Sequence, residues 1–426
     1  MPTDSHRRLV AVELVDEPPP DPGGSSPGAL VDHADHGVVR AGVGGLLALL
    51  ADRLDGEGPA LAPLAPGPER EQILTLLRTD LPLERDDIAV VLPTSGSTGE
   101  PKGALLPAAA LLHSARATLD ALGGPGRWLL ALPPTRVAGL QVLVRSLVAG
   151  TTPVVMPGRF TVEAFTAATS RLGSGSSGSS GRRYTALVPT QLGRLLDAGP
   201  AAVDALRSYD AVLAGGGASS AALLERARSA GVRVVTTYGM TETCGGCVYD
   251  GRPLAGVDLD IDEASGLVRI GGATVFAGYR RRPDLTAQAL VDGRHVTSDL
   301  GRLRPDGTLE ILGRADDVVV SGGVNVPLLA VERAVASCPG VAEAAAVGIP
   351  DAEWGSRVRA YVVLRPGAGA PGLADVRDHV SAAHPRAYAP RELVVVDALP
   401  LLPSGKVDRS ALRAADPDQP GPTRAR

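Results

Sequence analysis

Residues 93–103 read Pro-Thr-Ser-Gly-Ser-Thr-Gly-Glu-Pro-Lys-Gly and follow directly on the apolar run Ile88-Ala-Val-Val-Leu92. A buried strand that opens into hydroxyls, glycines and a lysine suits a fold that receives a polyphosphate at a strand end. Gly96 and Gly99 let backbone N–H groups approach phosphate oxygens, and Thr94, Ser95, Ser97 and Thr98 add donors. Lys102 supplies a compact positive charge for a departing phosphate. A polar surface turn is the plain alternative, but apart from Pro93 and Pro101 the segment has no apolar side chain. It is not a Walker A loop, because Lys102 is followed by Gly103.

A second strand runs into polar residues at Val234-Val-Thr-Thr-Tyr-Gly-Met-Thr-Glu-Thr243. Parallel α/β sheets bind ligands at the carboxyl ends of their strands, so this segment and the first can share a crevice. Tyr238 offers a flat face for a purine, and Glu242 a hard oxygen for Mg²⁺. A helix-capping box is the alternative for Thr241-Glu242. The run Ala214-Gly215-Gly216-Gly217-Ala218 closes another strand, either as a plain tight turn or to allow close approach of a planar ligand.

Short apolar runs at 87–92, 129–132, 153–156, 184–188, 211–214 and 232–236 alternate with helical stretches, among them 41–54, 190–198 and 219–230. That alternation predicts largely parallel sheets with helices on their faces. After residue 256 short strands with turn signals predict a β-rich subdomain. A charged turn at Arg314-Ala-Asp-Asp317 introduces a last α+β unit, with helices near 327–337 and 373–383 and strands near 343–349, 358–364 and 393–397. The expectation is an α/β protein with a large N-terminal domain, residues 1–315, and a small mobile C-terminal domain, residues 316–426. Residues 15–30, the Gly/Ser run 173–181 and residues 416–426 read as loose segments.

Composition narrows the partners. The 426 residues carry a net charge of −5 with no basic cluster, which excludes an electrostatic footprint for nucleic acid. No apolar run approaches the ~20 residues that span a bilayer, and no apolar segment follows Arg7 and Arg8 as in a signal peptide. Three cysteines make no disulfide framework, so the expected location is the cytoplasm. Cys244-Gly-Gly-Cys247 lacks a second pair, which argues against zinc; small residues shaping a pocket are the simpler reading.

Thr94-Ser-Gly-Ser-Thr-Gly-Glu-Pro-Lys-Gly103 resembles the phosphate loop of the adenylate-forming superfamily of acyl-CoA synthetases, peptide-synthetase adenylation domains and luciferases. Further motifs extend the resemblance from about residue 85 to residue 410. It implies that Tyr238 and Gly239, with Gly215 and Gly216, border adenine. Thr241 would contact the α-phosphate and Glu242 would hold Mg²⁺. Asp299, in His295-Val-Thr-Ser-Asp-Leu-Gly301, and Arg314 would hold the ribose. Asp316 would be the hinge about which the small domain turns. Gly322 and Gly323 would let a hairpin cross the site when the thiol arrives; Val324 stands where the family often has Glu. Leu402-Pro-Ser-Gly-Lys406 resembles the terminal catalytic-lysine motif, which implies Lys406 at the developing negative charge, with Thr241 and Lys102 as its catalytic companions.

Val188-Pro-Thr-Gln-Leu192, Gly139-Leu-Gln-Val-Leu143 and the long run from Tyr238 to Gly251 look like actinobacterial o-succinylbenzoate–CoA ligases of menaquinone synthesis. The resemblance implies an ATP-dependent ligase that adenylates an aryl acid and passes the acyl group to CoA. Its expected partners are a small-molecule acid, ATP and CoA, with homodimerisation allowed for. Gly139, Gly217 and Met240 would border the acyl group. Arg136 replaces the aromatic or His usual before Val-Ala-Gly. Its guanidinium could pair with the second carboxylate of a diacid, mark a paralogue for another acid, or point to solvent. The alternatives are a secondary-metabolism ligase for a different aryl acid or acceptor, and a nucleotide-binding regulator, which Lys102, Glu242 and Lys406 argue against.

Overall fold

The computed structural model describes residues 8–15, 38–95, 101–173, 181–365, 367–400 and 407–415. The chain divides into two compact units. The first comprises Met1–Gly216, Ala227–Asp260 and Arg269–Thr297, the second Gly217–Arg226, Ile261–Val268 and Ser298–Arg426.

The first sheet contains β1 (Leu9–Leu14), β2 (Val38–Ala41), β3 (Ala60–Leu64), β4 (Ile88–Ser95) and β5 (Pro101–Pro107), in the order β2-β1-β3-β4-β5. The first four strands run parallel and β5 returns antiparallel to β4. Parallel strands covered on both faces read as continuous apolar runs, and Ile88 to Leu92 are all buried. Helices α1 (Val43–Leu54), α2 (Arg70–Leu77) and α3 (Ala108–Ala121) connect these strands or follow them. Beneath them Leu9, Leu64, Leu77, Ile88, Val91 and Leu105 form one apolar cluster.

The second sheet contains β6 (Gly126–Leu130), β7 (Val154–Val155), β8 (Arg182–Leu187), β9 (Ala211–Ala214), β10 (Val234–Met240), β11 (Gly245–Tyr249) and β12 (Arg252–Pro253). Its order is β12-β11-β10-β9-β8-β6-β7, parallel from β7 to β10 and antiparallel beyond. Its helices are α4 (Val137–Val148), α5 (Val162–Gly173), α6 (Pro189–Asp197), α7 (Pro200–Arg207) and α8 (Ala221–Ser229). Pro189 and Pro200 open α6 and α7 where no intrahelical N–H is needed. Helix α4 is buried on every side from Gly139 to Ser146, polar residues included.

A third sheet holds β13 (Val257–Ile261), β14 (Leu267–Gly272), β15 (Leu290–Val291), β16 (Arg294–Leu303) and β17 (Leu309–Arg314), in the order β13-β14-β16-β15 with β17 also paired to β16. Helix α9 (Pro283–Ala289) precedes β15. The fourth sheet has β18 (Val318–Ser321), β19 (Val324–Pro327), β20 (Val341–Asp351), β21 (Gly355–Leu364) and β22 (Glu392–Val395), with helices α10 (Leu328–Ala336), α11 (Leu373–Ala383) and α12 (Arg409–Ala414). Val331, Val335, Val358, Val362, Val376 and Val380 make its core. Asp408 caps α12 by accepting from the Ala411 N–H at 3.0 Å.

The α/β expectation holds: parallel sheets with helices, a β-rich stretch, then an α+β unit. One local expectation changes. Residues 93–95 and 101–103, at the two ends of the run 93–103, are paired strand: Thr94 pairs with Lys102 and Ser95 with Pro101. Pro93 and Pro101 do not stop the ladder, because a strand residue needs its N–H only where the partner strand faces it. Among the described residues no helix is long and apolar enough to cross a membrane.

Candidate active site

In the first unit Lys102 stands two residues into β5, opposite Thr94. Its ammonium lies 5.3 Å from the centroid of the Tyr279 ring, a cation–π distance. The Tyr279 hydroxyl donates to Glu242 Oε1 at 2.8 Å. Two segments singled out by sequence thus meet on an aromatic ring that sequence reading passed over. Backbone pairing secures the meeting. The Phe276 N–H donates to the Glu242 carbonyl at 2.9 Å and the Ala277 N–H to that of Leu105 at 2.8 Å. Leu105 in turn donates to Gly278 at 2.9 Å, and Arg280 to Gly103 at 2.7 Å.

Arg280 anchors the segment. Its guanidinium donates to the carbonyls of Leu77, Arg78, Leu81 and Pro82 and to the Glu84 carboxylate. Burial pushes its pKa down, while the Glu84 charge works the other way. The phenol of Tyr279 is pushed up, first by burial and then by the Glu242 charge, so it stays protonated and donates.

Thr241 and Glu242 sit in a single 3-10 turn, Thr241–Thr243, at the end of β10. The cap comes from Thr243, another residue not foreseen: its hydroxyl accepts from the Met240 N–H at 2.9 Å. The Thr241 side chain therefore does no capping and has no partner among the described residues. Oε2 of Glu242 is likewise unengaged among the described residues. β10 carries a bulge between Tyr238 and Gly239, which turns the following residues out of register.

Two glycines serve close packing. A Cβ on Gly215 would lie 2.1 Å from Thr237 Oγ1, and one on Gly139 2.2 Å from the Pro133 carbonyl oxygen. Arg136 precedes α4 in extended conformation and is exposed, and its guanidinium has no partner among the described residues. Met240 is partly buried at the end of β10, and Gly216 and Gly217 are exposed. Cys244 and Cys247 are both buried, and burial pushes the Cys247 thiol up to about 12. Ser114 Oγ and Gln141 Nε2 donate to the Cys244 carbonyl, fixing that turn.

In the second unit Asp299 and Arg314 face each other across β16 and β17, with Arg314 Nη1 3.6 Å from Asp299 Oδ1. Arg314 also donates twice to Asp316, at 2.8 and 2.9 Å. Asp316 lies in a 3-10 turn, Ala315–Asp317, between β17 and β18. Burial works upward on its carboxyl, but the Arg314 hydrogen bonds and charge outweigh it and hold the pKa below the ordinary value. The neighbouring Asp317 accepts from Arg409 at 3.1 Å, and Arg409 reaches Glu332 at 2.9 and 3.0 Å.

Gly322 and Gly323 form the tip of the β18–β19 hairpin. Gly322 lines a cavity of about 380 Å³ with Trp354, Arg377, Arg386 and Arg391. The Arg391 guanidinium stacks 3.9 Å from the Trp354 ring centroid. Gly96, Ser97, Thr98, Gly99 and Lys406 lie outside the described residues, as does the side chain of Ser95. Among the described residues no group of three or more His, Cys, Asp and Glu could hold a metal ion. A magnesium ion carried by a nucleotide needs less: one or two carboxylates beside phosphate oxygens and water. Glu242, with Oε2 unengaged, fits that donor set.

The chain belongs to the AMP-binding enzyme family, which matches residues 30–280, and the AMP-binding enzyme C-terminal domain matches residues 330–406. It is 47% identical over 373 residues to a probable 2-succinylbenzoate–CoA ligase of Mycobacterium tuberculosis, covering 86% of this chain and 94% of that protein. It is 33% identical over 361 residues to a sulfoacetate–CoA ligase of Cupriavidus necator, covering 78% of this chain and 68% of that one. Among solved structures, the o-succinylbenzoate CoA synthetase of Bacillus subtilis, in complex with the acyl-adenylate intermediate OSB-AMP, superposes with a TM-score of 0.67 at 27% identity. That match covers 87% of this chain and 81% of the other.

Proposed function

We propose that the protein is an ATP-dependent acid–CoA ligase that adenylates o-succinylbenzoate and transfers the acyl group to CoA. What supports the chemistry is that Lys102 and Glu242, from distant segments, converge on Tyr279 at the ends of two strands. What supports the acid is the likeness to the mycobacterial ligase over most of both chains.

In the first half-reaction a carboxylate oxygen of the acid attacks the α-phosphorus of ATP, the bond to the β-phosphate oxygen breaks, and pyrophosphate leaves. In the second, the CoA sulfur, losing its proton, attacks the acyl carbon and AMP leaves. Lys102 and the hydroxyls from Thr94 to Thr98, with Gly96 and Gly99, hold the β- and γ-phosphates. Thr241 contacts the α-phosphate and Lys406 meets the charge that develops there. Tyr238 stacks on adenine beside Gly215, Gly216 and Gly239, and Asp299 and Arg314 hold the ribose. When bound, Mg²⁺ at Glu242 offsets phosphate charge.

Residues 1–315 then form the nucleotide domain and 316–426 the small one, turning about Asp316 between half-reactions. The cavity beside Gly322 and Gly323, with an indole and three guanidinium groups, suits the adenine and phosphates of CoA. Arg136, with Gly139, Gly217 and Met240 near the acyl group, is the residue for the second carboxylate. The reaction belongs in the cytoplasm, where ATP and CoA are at hand, and a homodimer is the assembly proposed.

A second reading keeps the chemistry and changes the acid: a relative at about one-third identity is named for sulfoacetate, and Arg136 departs from the pattern of aryl-acid ligases. Pyrophosphate release across a panel of o-succinylbenzoate, benzoate, malonate and sulfoacetate decides between them. Turnover should be fastest with o-succinylbenzoate and absent in Lys406→Ala. No turnover with that acid alongside turnover of another would replace the first reading with the second.

A further inference from the structure

We propose that Tyr279 is a positioning residue for the polyphosphate site, its hydroxyl aiming the Glu242 carboxylate and its ring face seating the Lys102 ammonium. The proposal rests on the adenylation reading above and deepens it.

Three observations carry it. First, one ring serves two opposite charges: the hydroxyl is 2.8 Å from Glu242 Oε1, and the ring centroid 5.3 Å from Lys102 Nζ. Second, the ring itself is fixed. Tyr279 is 8% exposed, packs edge-on against Phe276 at 5.0 Å between centroids, and its N–H donates to Thr286 Oγ1 at 2.9 Å. Its backbone is bridged to Ala104, two residues from Lys102. Third, neither charge is cancelled: among the described residues Lys102 and Glu242 form no ion pair with each other or with another side chain.

The chemistry explains why a phenol is used. An Arg or Lys beside Glu242 would fix the carboxylate but neutralise it. A neutral donor fixes one oxygen and leaves the full charge for a cation. A free Lys102 could swing to Glu242 and form an ion pair that a polyphosphate must break. Seated on the ring face, it keeps its charge for the phosphates.

The test is calorimetric titration of ATP into the whole protein, with and without Mg²⁺. In Tyr279→Phe, affinity with Mg²⁺ should fall about tenfold, the order expected for losing one hydrogen bond to a charged group, while affinity without the metal holds. In a Glu242→Gln background the same substitution should add no further loss. Tyr279→Leu, which removes the ring face as well, should also weaken pyrophosphate binding.

Wild-type affinity for ATP with Mg²⁺ in Tyr279→Phe would overturn the proposal. Equal losses with and without metal, or an undiminished loss in the Glu242→Gln background, would overturn it too, since they mark a merely structural tyrosine. The acid does not enter these titrations, so failure of o-succinylbenzoate turnover would remove the substrate assignment and leave Tyr279 standing. ATP binding by the wild type that ignores Mg²⁺ would remove both.

Discussion

The cluster around Glu242 and the strip from Asp299 to Asp317 use the same kinds of side chain to opposite ends. In the first unit the carboxylate is held by a neutral phenol, and the buried guanidinium of Arg280 gives most of its bonds to backbone carbonyls. In the second, Arg314 touches both Asp299 and Asp316, and Arg409 bridges Asp317 and Glu332. The side chains of Arg314 and Asp316 are 43% and 41% exposed, whereas that of Arg280 is fully buried. A buried cation with all its donors engaged is fixed, since removing it strands several acceptors at once. A half-exposed pair gives little stability, so it exchanges partners at small cost. Fixed groups suit the phosphate cradle proposed for the first region, and exchangeable ones the ribose-binding and hinge roles proposed for the second.

The largest test of that contrast is Arg280→Ala. It should destabilise the protein by about 3 kcal/mol or more, read as the shift in a urea midpoint, because the carbonyls and Glu84 are left facing a void. A loss below about 1 kcal/mol would break the comparison from the rigid side. Arg314→Ala should act the other way round. Its stability should change by under about 1 kcal/mol, while the KM for ATP rises about tenfold. A stability loss as large as that of Arg280→Ala would make the two regions alike.

The smallest effect belongs to Asp316→Asn. The folded carboxyl titrates below its ordinary value of 3.8, so the pair's contribution is complete above that value and is lost as pH falls through the lower, folded one. Discounted for exposure, the variant should be less stable by under about 1 kcal/mol near neutrality, and the two stability curves should converge in acid. Curves that stay parallel into acid would remove the ion pair as the cause.

Much of this was legible in the chain. Runs such as Ile88–Leu92 and Ala211–Ala214 are apolar on both faces, and only a covered strand can use such a run. Glu242 and Lys102 stood out because glycines and hydroxyls around them have little reason to follow a core strand. Tyr279 and Arg280 did not. Gly278-Tyr-Arg-Arg-Arg-Pro283 reads as a basic surface turn, and its meaning comes from partners far away in sequence. The strand pairing at the two ends of the run 93–103 was missed for a related reason: polar residues there look like loop, and ladder pairing of Thr94 with Lys102 is a tertiary choice. Thr243 rather than Thr241 capping the turn depends on a left-handed Cys244, which neighbouring residues alone do not dictate.

The span of Arg280's contacts also bears on how the protein is made. Its guanidinium reaches Leu77, 203 residues earlier, and the 277–280 segment bridges the free edge of β5 at Ala104. At about 5–20 residues per second on a ribosome, β5 emerges roughly 10–40 s before the segment that bridges it. For that interval β5 presents an unpaired edge, open to pairing with another nascent chain. The tie that steadies the finished fold thus forms no earlier than the synthesis of residue 280, and until then that edge of β5 lacks its natural cover.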